Sequence, residues 1–258
     1  MTKPRSMMPR EHGAYAELLF PLVTGLALGR PGVAAFGFAL AAVLFFLLHE
    51  PVAVVLGARG AYAREKWGAR ARQRVALLAL GGALAGGIAV YSSTRDAQLV
   101  SLVPVACALT LIPFVIRRRV KTLPAEILVV ATLSSLLLPV AVAGAVSWWL
   151  AWVASGVWFV SFLLGTFAVH AVKAITKPQP GDAWKPSASI VLGLVTIGGA
   201  VAIAFVPTVA LVLPIAVLPT ALVTLAAVIL RVHTRHLKRV GWTMALAQVV
   251  TAALLLAA

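Results

Sequence analysis

Acidic residues are scarce in this 258-residue chain: 7 Asp plus Glu stand against 22 Lys plus Arg, and charged residues of both signs make up only 11%. A water-soluble globular domain ordinarily carries about 25% charged and 45–50% apolar residues. The 62% hydrophobic content found here excludes that class. Cysteine is nearly absent too. The single Cys107 lies inside an apolar run and can form no intrachain disulfide, which excludes a disulfide-stapled extracellular scaffold. No phosphate-cradling P-loop, dinucleotide fingerprint or nucleophile elbow occurs, which argues against ordinary nucleotide-driven chemistry. No polar stretch is long enough to form a separate soluble domain. The expected organisation is one integral membrane domain over residues 1–258, with a short polar amino-terminal segment at 1–13.

What is abundant is apolar sequence in long runs. A helix needs about 20 mostly apolar residues to cross a hydrocarbon core of roughly 30 Å, at about 1.5 Å per residue. Nine runs qualify, near 14–29, 32–50, 74–92, 98–116, 126–146, 148–172, 187–206, 208–230 and 241–258. The last pair before the carboxyl-terminal run is separated at Pro207, because the stretch is too long for one span and proline disfavours a helix running through it. The fold class expected is an all-α polytopic bundle of nine transmembrane helices.

The net charge of +15 would, in a soluble chain, point to nucleic acid. Here the cations fall between the runs. With nine alternating spans, every Lys and Arg except Arg30 and Arg95 lies on one side. The positive-inside rule then makes that side cytoplasmic, with the amino terminus inside and the carboxyl terminus outside, in a cell inner membrane. The partner expected for these cations is the anionic cytoplasmic leaflet, worth about 1 kcal/mol per Lys or Arg near its surface, and no nucleic acid is expected. The first run follows a basic segment as a signal peptide would. It is read as an uncleaved span, because its removal would upset the charge parity.

Smaller features fit a packed bundle. Gly82 and Gly86, with Ala83 and Gly87, have the small-xxx-small spacing that lets helix backbones approach. Trp148, Trp149 and Trp242 fall at span ends, where amphipathic rings prefer the interface. Pro21, Pro104, Pro113, Pro139, Pro214 and Pro219 lie inside spans and are expected to kink them.

Chemistry is sought among the ionisable groups at span ends, because a charge within the membrane is costly and usually faces the bundle interior. Glu17 lies about one turn into the first span, Glu50 closes the second and Glu126 opens the fifth. His12, His49 and His170 share that depth near the cytoplasmic face. His233 and His236 sit in a basic loop, where solvation alone accounts for them. The site reading makes His49, Glu50 and His170 candidates for acid, base or ligand roles. Arg10, His12, Glu17, Arg59, Lys121, Glu126 and Lys173 would line a binding pocket. The structural alternative is that the carboxylates pair with arginines such as Arg10 or Arg117–Arg119 and lock helices together. No metal site is expected: the adjacent His49 and Glu50 are not the His-Glu-x-x-His pattern of zinc proteases. No cofactor is implied.

The segment Arg10-Glu11-His12-Gly13-Ala14-Tyr15-Ala16, followed by an apolar run with Pro21, resembles the start of the bacterial YwiC-like family, with Tyr15 where that family's signature has Trp. The Arg-rich stretch from Arg59 to Arg74 after the second span is similar as well. That resemblance implies a membrane protein and no particular activity. The nine-helix plan also resembles the UbiA prenyltransferase superfamily. Its members carry Asp-rich motifs at the cytoplasmic ends of helices two and six, where Mg²⁺ bridges them to a prenyl diphosphate. The matching positions here hold His49-Glu50-Pro51 and His170-Ala171-Val172-Lys173, so the two-metal chemistry has no carboxylate pairs to use. The expectation is a degenerate UbiA-like pocket facing the cytoplasm that takes an amphipathic anionic or isoprenoid-like ligand. The alternatives are a small transporter, which intramembrane carboxylates and helix-breaking prolines would serve, and a non-catalytic membrane scaffold.

Overall fold

A computed structural model describes residues 12–117, 119–206 and 210–257, without the side chain of His12. Arg10 and Pro207 lie outside the described residues. Eleven helices and no strands occur among the described residues. They are α1 (His12–Leu28), α2 (Val33–Val55), α3 (Ala61–Ser92), α4 (Arg95–Ile116), α5 (Leu123–Ser135), α6 (Leu137–Ala143), α7 (Trp148–Thr176), α8 (Trp184–Ala204), α9 (Val212–Ile215), α10 (Leu218–Ile229) and α11 (Leu237–Leu256). Taking α5 with α6 and α9 with α10 as single interrupted spans, these helices account for all nine apolar runs. Eight spans are long and apolar enough to cross a membrane, and α1, at 17 residues, is shorter. The chain is a multi-pass membrane protein.

Alternation of the spans, inferred from charge, is visible in contacts between chain-distant turns. The Arg30 amide after α1 donates to the Gly144 carbonyl after α6 (2.8 Å), so both turns share one end. At the other end the Thr234 amide donates to Thr176 Oγ1 at the close of α7 (3.2 Å). This second end receives the turns after α2, α4, α7 and α10 and is called the basic end below.

The core centres on α6, in which Leu137 to Val142 are all buried. It packs against α1, α2, α4 and α7. Beside it Trp158 stacks between Phe20 and Phe162, at 5.3 Å from each ring. The interruptions at Leu136 and around Ala216 follow from Pro139, Pro214 and Pro219, each of which removes a backbone donor. Hydroxyls from other helices bond to buried carbonyls at both breaks: Ser155 Oγ donates to the Ser134 carbonyl (3.2 Å) and Thr251 Oγ1 to that of Ala216 (2.8 Å). Pro21, Pro104 and Pro113, expected to kink their spans, lie within continuous helices.

The basic stretch at 51–73, expected to be a loop, is mostly helical. The helix α2 continues through Pro51 to Val55, and α3 begins at Ala61. Only residues 56–60 turn. Gly57 (φ +71°) closes α2 in a Schellman arrangement: its amide donates to the Val54 carbonyl (3.0 Å), and the Ala58 amide donates to that of Ala53 (2.9 Å). Gly60 (φ +94°) opens α3. Arginine, alanine and glutamate are good helix formers, so charge density marked the end of the membrane span and not the end of the helix. At 32 residues, α3 is about 48 Å long. Its first third stands beyond the apolar run, with Ala71 and Trp67 packed on Val54 and Val55 of α2. Further along, Gly82 admits the Phe45 ring and Gly86 meets Ala41, as the small-residue spacing anticipates. Gly87 faces open space.

Candidate functional site

Among the described residues, four of the candidates are joined in two pairs, held by different physics.

In the first pair, Arg59 on the tight turn folds back to Glu50, about one and a half turns before the end of α2. Arg59 Nε donates to Glu50 Oε1 at 3.0 Å, and Nη2 donates to Oε2. Both carboxylate oxygens are thereby engaged. Glu50 is 5% exposed, and the guanidinium rim of Arg59 reaches solvent. A bidentate guanidinium is the geometry that best compensates a desolvated carboxylate. His49, one residue earlier on the helix, is exposed. Neighbouring helical residues diverge by about 100°, so the adjacent His and Glu serve different faces.

In the second pair, His170 Nε2 lies 2.6 Å from Glu126 Oε2 and joins the end of α7 to the first turn of α5. The imidazole is 15% and the carboxylate 35% exposed. With a proton on Nε2 directed at the carboxylate, Nδ1 is free to accept a hydrogen bond or, in the imidazolium form, to donate one. The structural alternative named arginines such as Arg10 or Arg117–Arg119 as partners; Glu50 does pair with an arginine, Arg59, across a nine-residue return through a glycine turn, whereas Glu126 meets His170, 44 residues away.

Lys121 and Lys173 are exposed, whereas Glu17 is half-buried and engaged in a contact of its own. Arg10 and the His12 side chain lie outside the described residues. Helix α2 packs chiefly on α3 and α6, and α7 chiefly on α5, α8 and α10. Among the described residues, no three His, Cys, Asp or Glu side chains come together as a metal site. A prenyltransferase-type Mg²⁺ does not fit at these positions, because both Glu50 oxygens hold Arg59 and one Glu126 oxygen is against His170.

Sequence reasoning missed an apolar groove of about 410 Å³ between α5, α7 and α8, which includes Ile127, Leu163, Phe167, Trp184 and Val191. Leu163, Phe167 and His170 recur at i, i+4 and i+7, so they share one face of α7. Ile127 follows Glu126 directly. The polar pair therefore stands at the basic-end head of the groove. Trp184 meets Phe167 edge to face (6.5 Å), and Lys185 pairs with Asp182 (2.5 Å) just beyond. That spacing along α7 was a readable signal; the opposing wall from α8 was not.

A family model described as YwiC-like protein matches residues 8–141, just over half of the chain. The chain belongs to the YwiC-like family. The matched segment runs from the His12-Gly13-Ala14 box through α5 and into α6, so it includes Glu50, Arg59 and Glu126. The second half, which carries His170 and two walls of the groove, lies beyond the YwiC-like match. No curated protein and no solved structure matches the chain.

Proposed function

We propose that this YwiC-like protein resides in a cell inner membrane, with its basic end in the cytoplasm, and binds an amphipathic anionic or isoprenoid-like molecule in the α5–α7–α8 groove. The observation that carries this reading is the continuity of Leu163, Phe167 and His170 on one face of α7, which places a carboxylate–imidazole pair at the head of an apolar channel. A hydrocarbon tail lies along Ile127, Leu163, Phe167 and Val191. The head group meets His170 Nδ1 and the cations of the same end, Lys173 and Lys121. The orientation rests on the confinement of all cations but Arg30 and Arg95 to the basic end, which faces anionic lipid. Of the candidate acid–base groups, His170, with Glu126 as its partner, is favoured over His49 and Glu50, because Arg59 neutralises Glu50 and His49 stands on another face. The nine-span plan supports a repurposed relative of the prenyltransferase bundle, in which binding survives without the metal motifs.

The test is photo-crosslinking in membranes with a diazirine-bearing farnesyl phosphate. Label is expected on peptides of α5, α7 and α8. Leu163→Trp, which fills the groove, should reduce it at least tenfold, and Glu126→Gln several-fold. Labelling that Leu163→Trp leaves unchanged would refute the groove.

One observation favours a transporter as the second reading. Two spans, α5–α6 and α9–α10, are discontinuous, and interrupted helices are where transporters expose backbone groups to cargo. Vesicle flux that depends on Ser155 or Thr251, which cover the two breaks, would favour this reading over simple binding.

A further inference from the structure

A second concavity lies away from the groove. It occupies about 720 Å³ where the α2–α3 turn meets the projecting third of α3, and it is lined by Gly57, Gly60, Ala61, Arg64, Glu65 and Arg72, among others. Its floor is low because of backbone geometry. Gly57 and Gly60 both have positive φ, a conformation that side chains rarely adopt, and Ala61 adds only a methyl group. Its rim is charged. Arg64 and Arg72 are eight residues apart on one helix face with Gly68 between them, and Arg72 leans back over that glycine. Its Nη1 lies 3.7 Å from where a Cβ on Gly68 would be. Both guanidiniums therefore serve the same hollow, with the Glu65 carboxylate beside them. Among the described residues none of these three side chains makes a hydrogen bond or ion pair. Glu50 and Arg59 are paired with each other.

The geometry points to a phosphate ester that carries a primary amine as the occupant of this cleft. Two arginines present planar, forked donors to phosphate oxygens. A carboxylate in the same lining repels a simple polyanion and attracts an ammonium group held a few bonds from the phosphate. The cleft lies at the height such a group would have at a membrane surface. The apolar part of α3 begins at Val75, so Arg72 stands about 5 Å and Arg64 about 16 Å beyond it. The head-group layer adds about 5–8 Å on each side of the core. The cleft thus reaches from that layer into water, and an aminophosphate can enter as a lipid head group or as a free small molecule. This inference is independent of the α5–α7–α8 groove.

The test uses the full-length protein in detergent and in nanodiscs. The soluble probes are O-phosphoethanolamine and inorganic phosphate, read by calorimetry. The lipid probes are phosphatidylethanolamine and phosphatidylglycerol, read by native mass spectrometry of the retained lipid. The aminophosphate member of at least one pair is expected to bind at least tenfold more tightly than its partner. Preference seen only with lipids assigns a head group as the source, and preference with the soluble pair assigns a free metabolite. Arg64→Gln with Arg72→Gln should remove binding of that probe at least tenfold. Ala61→Trp should do the same by filling the hollow without altering a charge, and it serves if the arginine variant does not fold. Glu65→Gln should abolish the preference while leaving phosphate binding. Equal binding of both members of each pair, no binding of any probe, or an Ala61→Trp variant that binds like the wild type would each overturn the assignment.

Discussion

The α2–α3 hairpin and the α5–α7–α8 wall use the same residue types for different ends. In the hairpin, a buried carboxylate is closed by a guanidinium nine residues later, across a turn that two glycines make possible. Both oxygens are consumed, and the pair ties together two consecutive helices. In the wall, a half-exposed carboxylate meets an imidazole 44 residues away, and one ring nitrogen is left for other partners. The hairpin also stands at the edge, since α3 packs principally against α2, whereas α7 contacts α5, α6, α8, α10 and α11. A carboxylate at a helix end is therefore not a site by its depth alone. Its remaining hydrogen-bonding capacity decides whether it locks or binds.

The largest effect that would test this contrast is Arg59→Ala, which leaves Glu50 buried without its partner. Breaking a buried pair costs several kcal/mol, and the exposure of Arg59 reduces that here, so a loss of about 2 kcal/mol is expected on thermal unfolding in detergent. Glu50→Gln should recover most of the Arg59→Ala loss when the two are combined. A smaller loss, about 1 kcal/mol, is expected for His170→Ala, because Glu126 can hydrate once its partner is gone. Equal losses for Arg59→Ala and His170→Ala would break the distinction between lock and site.

The smallest effect lies at the basic end outside both regions. His236 accepts from Arg235 Nε (3.0 Å) in the turn before α11. Desolvation, then the charges of Arg235, Arg239 and His233, hold its pKa below the ordinary 6.5. The folded turn therefore favours the neutral ring, and its contribution to stability is full above pH 6.5 and is lost as pH falls through the depressed value. Amide protection factors over residues 231–239, corrected for the intrinsic exchange rate, should fall below pH 6.5, and His236→Gln should remove that fall.

Much of this was legible in residue order. All nine apolar runs became helical, eight of them long enough to cross a membrane, because each residue type either tolerates hydrocarbon or does not. The alternation inferred from twenty-two cations agrees with the Arg30–Gly144 hydrogen bond. The interfacial tryptophans Trp149 and Trp242 are exposed at span ends, as placed. The helical extension of α3 was less legible, since a run rich in Arg and Ala is compatible with loop or helix until Trp67 and Ala71 find Val54 and Val55 to pack on. The breaks at Leu136 and near Ala216 were anticipated as proline kinks. The equivalent behaviour expected at Pro21, Pro104 and Pro113 did not produce interruptions.

Sequence alone determined that this chain crosses a membrane many times and which ends of its helices gather the positive charge. Those properties are sums over local composition, and the bilayer imposes them segment by segment. Only the tertiary structure decided that Glu50 is spent on Arg59, that Glu126 and His170 meet, and that an apolar groove opens beneath them. Each of those outcomes depends on which helices become neighbours. In a bundle where every helix surface is similarly apolar, close packing at positions such as Gly82 and hydroxyl ties such as Thr251 to Ala216 make that choice, and neither is visible in hydropathy.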